Sequence, residues 1–159
     1  MVLDYANAVL LTRPESDFSE DDIADAMNTS IVGTHFTNIE KVNRMLTASN
    51  PSIEFVVEFK VHTLNEIKKE LENGLPVSVW IITNDGANDY VHSIVITGID
   101  DNKKEICYND PTYGEEYTIS QSKFMSVWEQ HGARMIKTKI GRISRDTLEK
   151  YMPQRSNHE

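Results

Sequence analysis

Residues 90–114, YVHSIVITGIDDNKKEICYNDPTYG, contain two apolar segments separated by a polar turn. β-Branched and aromatic residues dominate both segments, which predicts two antiparallel strands joined as a hairpin. The side chains of Asp-Asp-Asn at residues 100–102 can bond to their own backbone, so this tripeptide favours a chain reversal. A basic ring opens the first segment at His92, and a carboxylate closes the second at Asp110.

The spacing of the hairpin predicts that these two end residues contact each other. A reversal centred on Asp101 places His92 directly opposite Asp110, because the two are equally far from it along the chain. Directly opposed residues hold their Cβ atoms roughly 4.5–5.5 Å apart on one face. A carboxylate there accepts a hydrogen bond from one imidazole nitrogen and leaves the other nitrogen to act as a base. A one-residue change of register, or a bulge, would separate the pair.

The alternative to a catalytic pair is a purely structural one, in which the histidine and the Asp-Pro turn only close the hairpin. The chain's single cysteine does not decide between the two interpretations, because Cys107 lies three residues before Asp110. On a regular strand that spacing turns the two side chains to opposite faces. No helix terminus or cation lies beside Cys107 in sequence to favour a thiolate, so we expect a small buried hydrophobic residue.

Composition limits the classes of function. A chain of 159 residues, 39% hydrophobic and 26% charged, is typical of one soluble globular domain. The net charge of −9 argues against binding to nucleic acid or to an anionic membrane surface. No apolar run approaches the roughly 18 residues of a membrane span, and no basic leader opens the chain. We therefore predict a cytoplasmic protein.

Apolar spacing and capping signals predict helices in the first half and mainly strands in the second, which is an α+β fold. The predicted helices cover residues 2–10, 19–27, 37–46, 63–72 and 120–131. The predicted strands cover residues 53–61, 77–83, the two halves of the hairpin, 116–119 and 133–140.

No cofactor or metal site is predicted. The remaining histidines of the folded region have no partner at metal-ligand spacing, and these are His35, His62 and His131. The oxygen-rich loop at residues 84–89 does not match the spacing of an EF-hand and is interpreted as a turn.

The hairpin also resembles a known family. The run HSIVITGID at residues 92–100, followed by YNDP at 108–111 and by Gly114, is similar to papain-like cysteine peptidases. Within them it resembles the double-glycine, bacteriocin-processing peptidase-like family. The resemblance covers roughly residues 1–140, and it implies a papain-like α+β domain at residues 1–143 followed by a tail at 144–159.

The resemblance implies roles for individual residues. His92 would be the general base and acid, Asp110 would orient it, and a peptide or protein would be the substrate. The family's nucleophilic cysteine opens the first long helix, where the helix dipole favours a thiolate. Residues 1–5 are similar to the middle of that helix, so the cysteine, and an upstream glutamine of the oxyanion hole, would precede Met1. We expect the chain as given to be inactive, through truncation or natural degeneracy; the alternative is a non-catalytic peptide-binding or partner-docking domain.

Overall fold

A computed structural model describes residues 19–30, 34–49, 53–58, 60–84 and 86–140. The helix predicted at residues 2–10, the proposed domain boundary after 143 and the tail lie outside these described residues. The helices are α1 (Glu20–Ala26), α2 (Ile39–Ser49), α3 (Leu64–Glu72) and α4 (Gln121–Glu129), with a 3-10 turn at Phe36–Asn38 before α2. The strands are β1 (Ile53–Val57), β2 (Val77–Asn84), β3 (Asp89–Asp100), β4 (Glu105–Asp110), β5 (Glu115–Ser120) and β6 (Met135–Ile140).

The strands form one sheet in the order β1-β6-β2-β3-β4-β5. Strand β2 pairs antiparallel with β3 and β6, and β4 pairs antiparallel with β3 and β5. This confirms the predicted α+β class. The chain divides into two compact units, and residues 57–137 form the unit that contains the hairpin.

Reciprocal capping boxes begin α1 and α3, as the sequence predicts. The Ser19 hydroxyl accepts a hydrogen bond from the Asp22 N–H at 3.1 Å, and the Asp22 carboxylate accepts one from the Ser19 N–H at 2.8 Å. Thr63 and Glu66 exchange the same two bonds at the start of α3, at 3.3 and 2.9 Å. Each box satisfies two of the N–H groups that a helix start leaves without partners.

Two predicted boundaries are wrong by a few residues. Helix α2 begins at Ile39, after the 3-10 turn, whereas the sequence predicts a start at Thr37. The Thr37 hydroxyl lies 2.6 Å from the His35 ring nitrogen Nδ1, and a first turn tightened to 3-10 geometry is common at helix ends. Strand β1 ends at Val57, whereas the sequence predicts an end at Val61. The residues after Val57 contribute to a group of charged side chains around His62.

The hydrophobic core of the 57–137 unit lies on one face of the sheet. Val79 of β2 pairs with Ile94 of β3, and both are about 1% exposed or less. Helix α4 covers this face with Phe124 and Trp128, whose rings are fully buried and stacked 5.3 Å apart. Burial of a large apolar side chain contributes roughly 1.5–3 kcal/mol to the free energy of unfolding.

The turn between β3 and β4 differs from the predicted one. It spans four residues, and Asp100 pairs with Glu105 across it. The Asp100 carboxylate accepts hydrogen bonds from the N–H groups of Asn102 and Lys103, at 2.9 and 3.0 Å, and fixes this longer reversal. A bulge between Ile96 and Gly98 then changes the register along the strand. The direct opposition predicted for His92 and Asp110 is therefore wrong.

Candidate active site

His92 and Asp110 meet diagonally across the two strands. Val95 pairs with Asn109, so the same register places Asp110 opposite Ile94, two residues from His92. Diagonal neighbours on one face are within reach of a long side chain. The His92 Nε2 atom lies 2.9 Å from Asp110 Oδ2, and the two side chains are 19% and 12% exposed. The pair therefore lies at the accessible end of the face that carries the core.

The Asp110 carboxylate is fixed by the turn that follows β4. Its Oδ1 atom accepts a hydrogen bond from the Thr112 N–H at 2.9 Å, and its backbone carbonyl accepts bonds from Tyr113 and Gly114. Burial raises the pKa of Asp110, but the hydrogen bonds from Thr112 and His92 and the charge of His92 outweigh it and lower the pKa below 3.8. Asp110 is therefore ionised at neutral pH.

An ionised carboxylate only accepts hydrogen bonds, which assigns the proton on the histidine ring. The hydrogen on Nε2 of His92 must point to Asp110, so Nδ1 of the neutral ring carries the lone pair. The ring of Tyr90 packs edge-on against the His92 ring, with centroids 6.3 Å apart and an interplanar angle of 73°. The arrangement can hold a base in one tautomer and one orientation.

Cys107 lies on the other face of the sheet. It is paired with Gly98, and a Cβ atom added at Gly98 would lie 3.5 Å from the Cys107 Cβ and 3.8 Å from its Sγ. The three-residue spacing from Asp110 along β4 turns the Cys107 thiol away from the carboxylate. The structure thus does not bring the chain's single cysteine to the His92 ring.

Comparison with known proteins places the chain in a family. The model of the Peptidase_C39 like family matches residues 1–136 of the 159. The chain belongs to the Peptidase_C39 like family. Membership confirms a cysteine-peptidase-like domain, and the α+β sheet is compatible with the papain-like fold that the sequence predicts. The double-glycine, bacteriocin-processing subgroup stays a prediction. No curated protein matches the chain.

The structure also describes the surroundings of other candidate positions of this Peptidase_C39 like chain. The described residues contain no group of three His, Cys, Asp or Glu side chains that could hold a metal ion. The loop after β2 is a turn, in which Asn84 bonds to Asp89 at 2.7 Å and to the Gly86 N–H at 2.6 Å. No helix in the described part of the chain is long and apolar enough to cross a membrane.

Sequence reasoning missed the tyrosines beside the pair. Tyr108 and Tyr117 face each other across β4 and β5 with centroids 5.8 Å apart, and Tyr113 packs against Tyr117 at 6.2 Å. Tyr108 is two residues from Asp110 on β4 and shares its face. The sequence alone could have placed Tyr108 here. Side chains alternate between the two faces of a strand, so Tyr108 shares a face with Asp110, whereas Cys107 lies on the other face.

Proposed function

We propose that His92 and Asp110 are the base and the orienting residue of a cysteine-peptidase site in this Peptidase_C39 like domain. The observation that carries the proposal is the 2.9 Å contact between His92 Nε2 and Asp110 Oδ2 at the accessible end of the sheet face. The substrate class is a peptide or protein.

The chemistry divides between the two side chains. His92 Nδ1 accepts the proton of a cysteine thiol, and the thiolate attacks the peptide carbonyl to form a tetrahedral intermediate. The imidazolium then donates that proton to the leaving amine, which leaves a thioester that water hydrolyses with His92 again as base. Asp110 holds the ring and stabilises the imidazolium. Cys107 faces away, so the thiol has to come from a cysteine outside the 159 residues.

The placement of Cys107 also supports a second candidate function. With no thiol on the face of His92, the 159-residue chain would bind peptides without cleaving them, as a peptide-binding or partner-docking domain. In both cases we expect the chain as given to be inactive in hydrolysis.

The codons that precede Met1 in the gene distinguish the two functions. An in-frame cysteine there supports the peptidase, and the protein extended to include it should hydrolyse a casein or peptide-library substrate. We expect His92→Ala in that protein to abolish hydrolysis, and Asp110→Ala to reduce kcat more than Asp110→Asn, because an amide oxygen still accepts the Nε2 hydrogen. An extended protein whose hydrolysis survives His92→Ala would refute the assigned roles, and the absence of any such cysteine would favour the binding domain.

A further inference from the structure

The surface next to Asp110 on the β5 side is rich in tyrosine and acid. Glu115 is exposed and lies directly opposite Asp110 in the β4–β5 register. Tyr117 follows two residues later on the same face, and its hydroxyl lies 3.5 Å from the Glu115 carboxylate. Tyr113 packs edge-on against Tyr117 and is 70% exposed. These residues present an aromatic surface with a carboxylate beside it, next to the residue that bonds to His92.

The negative charge of Glu115 on this surface has no cationic partner in the described part of the chain. Like charges directly opposite each other on one face of a sheet destabilise the sheet. Asp110 has His92 as its partner, but no lysine or arginine among the described residues forms an ion pair with Glu115. An external cation beside Glu115 would therefore supply the ion pair that the described lysines and arginines do not.

The tyrosine rings are exposed to the same negative charge. Burial and the charge of Asp110 raise the pKa of Tyr108, and burial followed by the charge and hydrogen bond of Glu115 raises the pKa of Tyr117. Faces of such rings attract cations, and a planar guanidinium can stack on a ring while its N–H groups reach a carboxylate. The chemistry of the surface thus matches arginine better than a neutral or acidic side chain.

We propose that Tyr113, Glu115 and Tyr117 form a subsite for an arginine side chain of the bound peptide. The proposal rests on the proposed function, since it places the peptide across the face that carries His92 and Asp110. It adds a preference that the His92–Asp110 pair alone would not give: a basic residue in the peptide on the β5 side of the reacting bond.

Peptide binding to the 159-residue chain tests the subsite without any cleavage. The probes are a short capped peptide of glycine and alanine with one arginine, and the same peptide with neutral citrulline in its place. We expect the arginine peptide to bind about two- to fivefold more tightly, the range of a cation over an exposed ring. In 1H–15N NMR titrations its shifts should map to residues 113–117 and reach His92.

Two glutamate variants give a matched comparison. Glu115→Gln and Tyr113→Ala should each reduce the preference for arginine, towards equal affinities for the two peptides. Glu116→Gln removes the same charge from the neighbouring residue, which faces the other side of β5 and lies 3.4 Å from the Thr97 hydroxyl, so it should leave the preference unchanged. Glu115 and Tyr113 are exposed, so we expect both variants to fold. Unchanged spectra of the unbound variants would exclude a loss of folding as the cause of weaker binding.

The possible results separate the subsite from the peptidase proposal. Equal affinities for the two peptides, shifts that map elsewhere, or equal effects of Glu115→Gln and Glu116→Gln would overturn the subsite. Hydrolysis by the extended protein with no preference for arginine would overturn the subsite and leave the peptidase intact. A preference for arginine together with the absence of an in-frame cysteine before Met1 would support the subsite and favour the binding domain over the peptidase.

Discussion

Replacement of Asp110 by leucine should shift the proton of neutral His92 from Nε2 towards Nδ1. In the wild-type protein the Asp110 carboxylate accepts a hydrogen bond from Nε2 at 2.9 Å. A hydrogen bond to a charged group contributes about 1.5–3 kcal/mol, and about 1.4 kcal/mol corresponds to a tenfold ratio. Because the two side chains are 19% and 12% exposed, water competes, and the lower limit applies. We expect Asp110→Leu to lower the ratio of the Nε2–H to the Nδ1–H tautomer roughly tenfold.

Nitrogen NMR of the imidazole ring measures this ratio directly, since protonated and unprotonated ring nitrogens resonate at well-separated frequencies. The His92→Gln variant assigns the signals among the five histidines of the chain. Asp101→Asn is a matched control, because it also removes one carboxylate from the hairpin, but that carboxylate bonds to Lys68 at 2.6 Å rather than to His92. The control should leave the His92 signals unchanged.

Two results would refute the reasoning. One is a wild-type ring with its proton on Nδ1, which would mean that Nε2 does not donate to Asp110. The other is an unchanged tautomer ratio in a folded Asp110→Leu variant. Either would remove Asp110 as the orienting residue, and with it the assignment of Nδ1 as the base.

Three further predictions concern buried His62 and the charged and capping residues around it at the start of α3. His62→Ala should lower the free energy of unfolding by about 2–4 kcal/mol in urea titrations, because it empties a fully buried site and removes a partner 3.3 Å from Glu66; a loss below about 0.5 kcal/mol would contradict this. Thr63→Ala should cost about 1 kcal/mol in thermal unfolding and Thr63→Ser much less, since only alanine lacks the capping hydroxyl. Hydrogen bonds from Lys60 and the Thr63 backbone lower the pKa of Glu66 to about 2, so its stabilisation is complete above the ordinary value of 4.5 and is lost as pH falls towards 2. The difference in stability between the wild type and Glu66→Gln should therefore shrink across that range, and a constant difference would contradict the assignment.

Local signals in the sequence predicted the elements well. The capping boxes at Ser19 and Thr63 depend on a few neighbouring residues, and the structure has both. The end of α3 is equally local: Gly74 adopts φ 75°, and the N–H of Leu75 bonds to the Glu70 carbonyl at 2.9 Å. These motifs need no information from elsewhere in the chain, so a single sequence suffices.

Contacts that depend on tertiary structure were not predictable in the same way. His62 reads as an ordinary residue at a strand end, yet its side chain is fully buried between Glu58 and Glu66. Its backbone N–H donates to Ala133, which is distant in sequence. Neither periodicity nor capping signals report such a partner, because the burial of His62 depends on how the chain returns after α4.

The His92–Asp110 contact shows that a predicted register can be wrong by two residues and still place two side chains on the correct face. The prediction placed the turn too early, and in the observed turn Asp100 pairs with Glu105. Continued without interruption, that pairing would bring Asp110 opposite Val95, whose side chain is on the other face from His92. The bulge between Ile96 and Gly98 shifts the register by one residue and brings Asp110 opposite Ile94, on the face of His92. The predicted and observed registers therefore differ by an even number at this end of the hairpin, and an even difference preserves the face. The long reach of the imidazole then closes the remaining diagonal distance, so the contact depends on the bulge and on parity rather than on direct opposition.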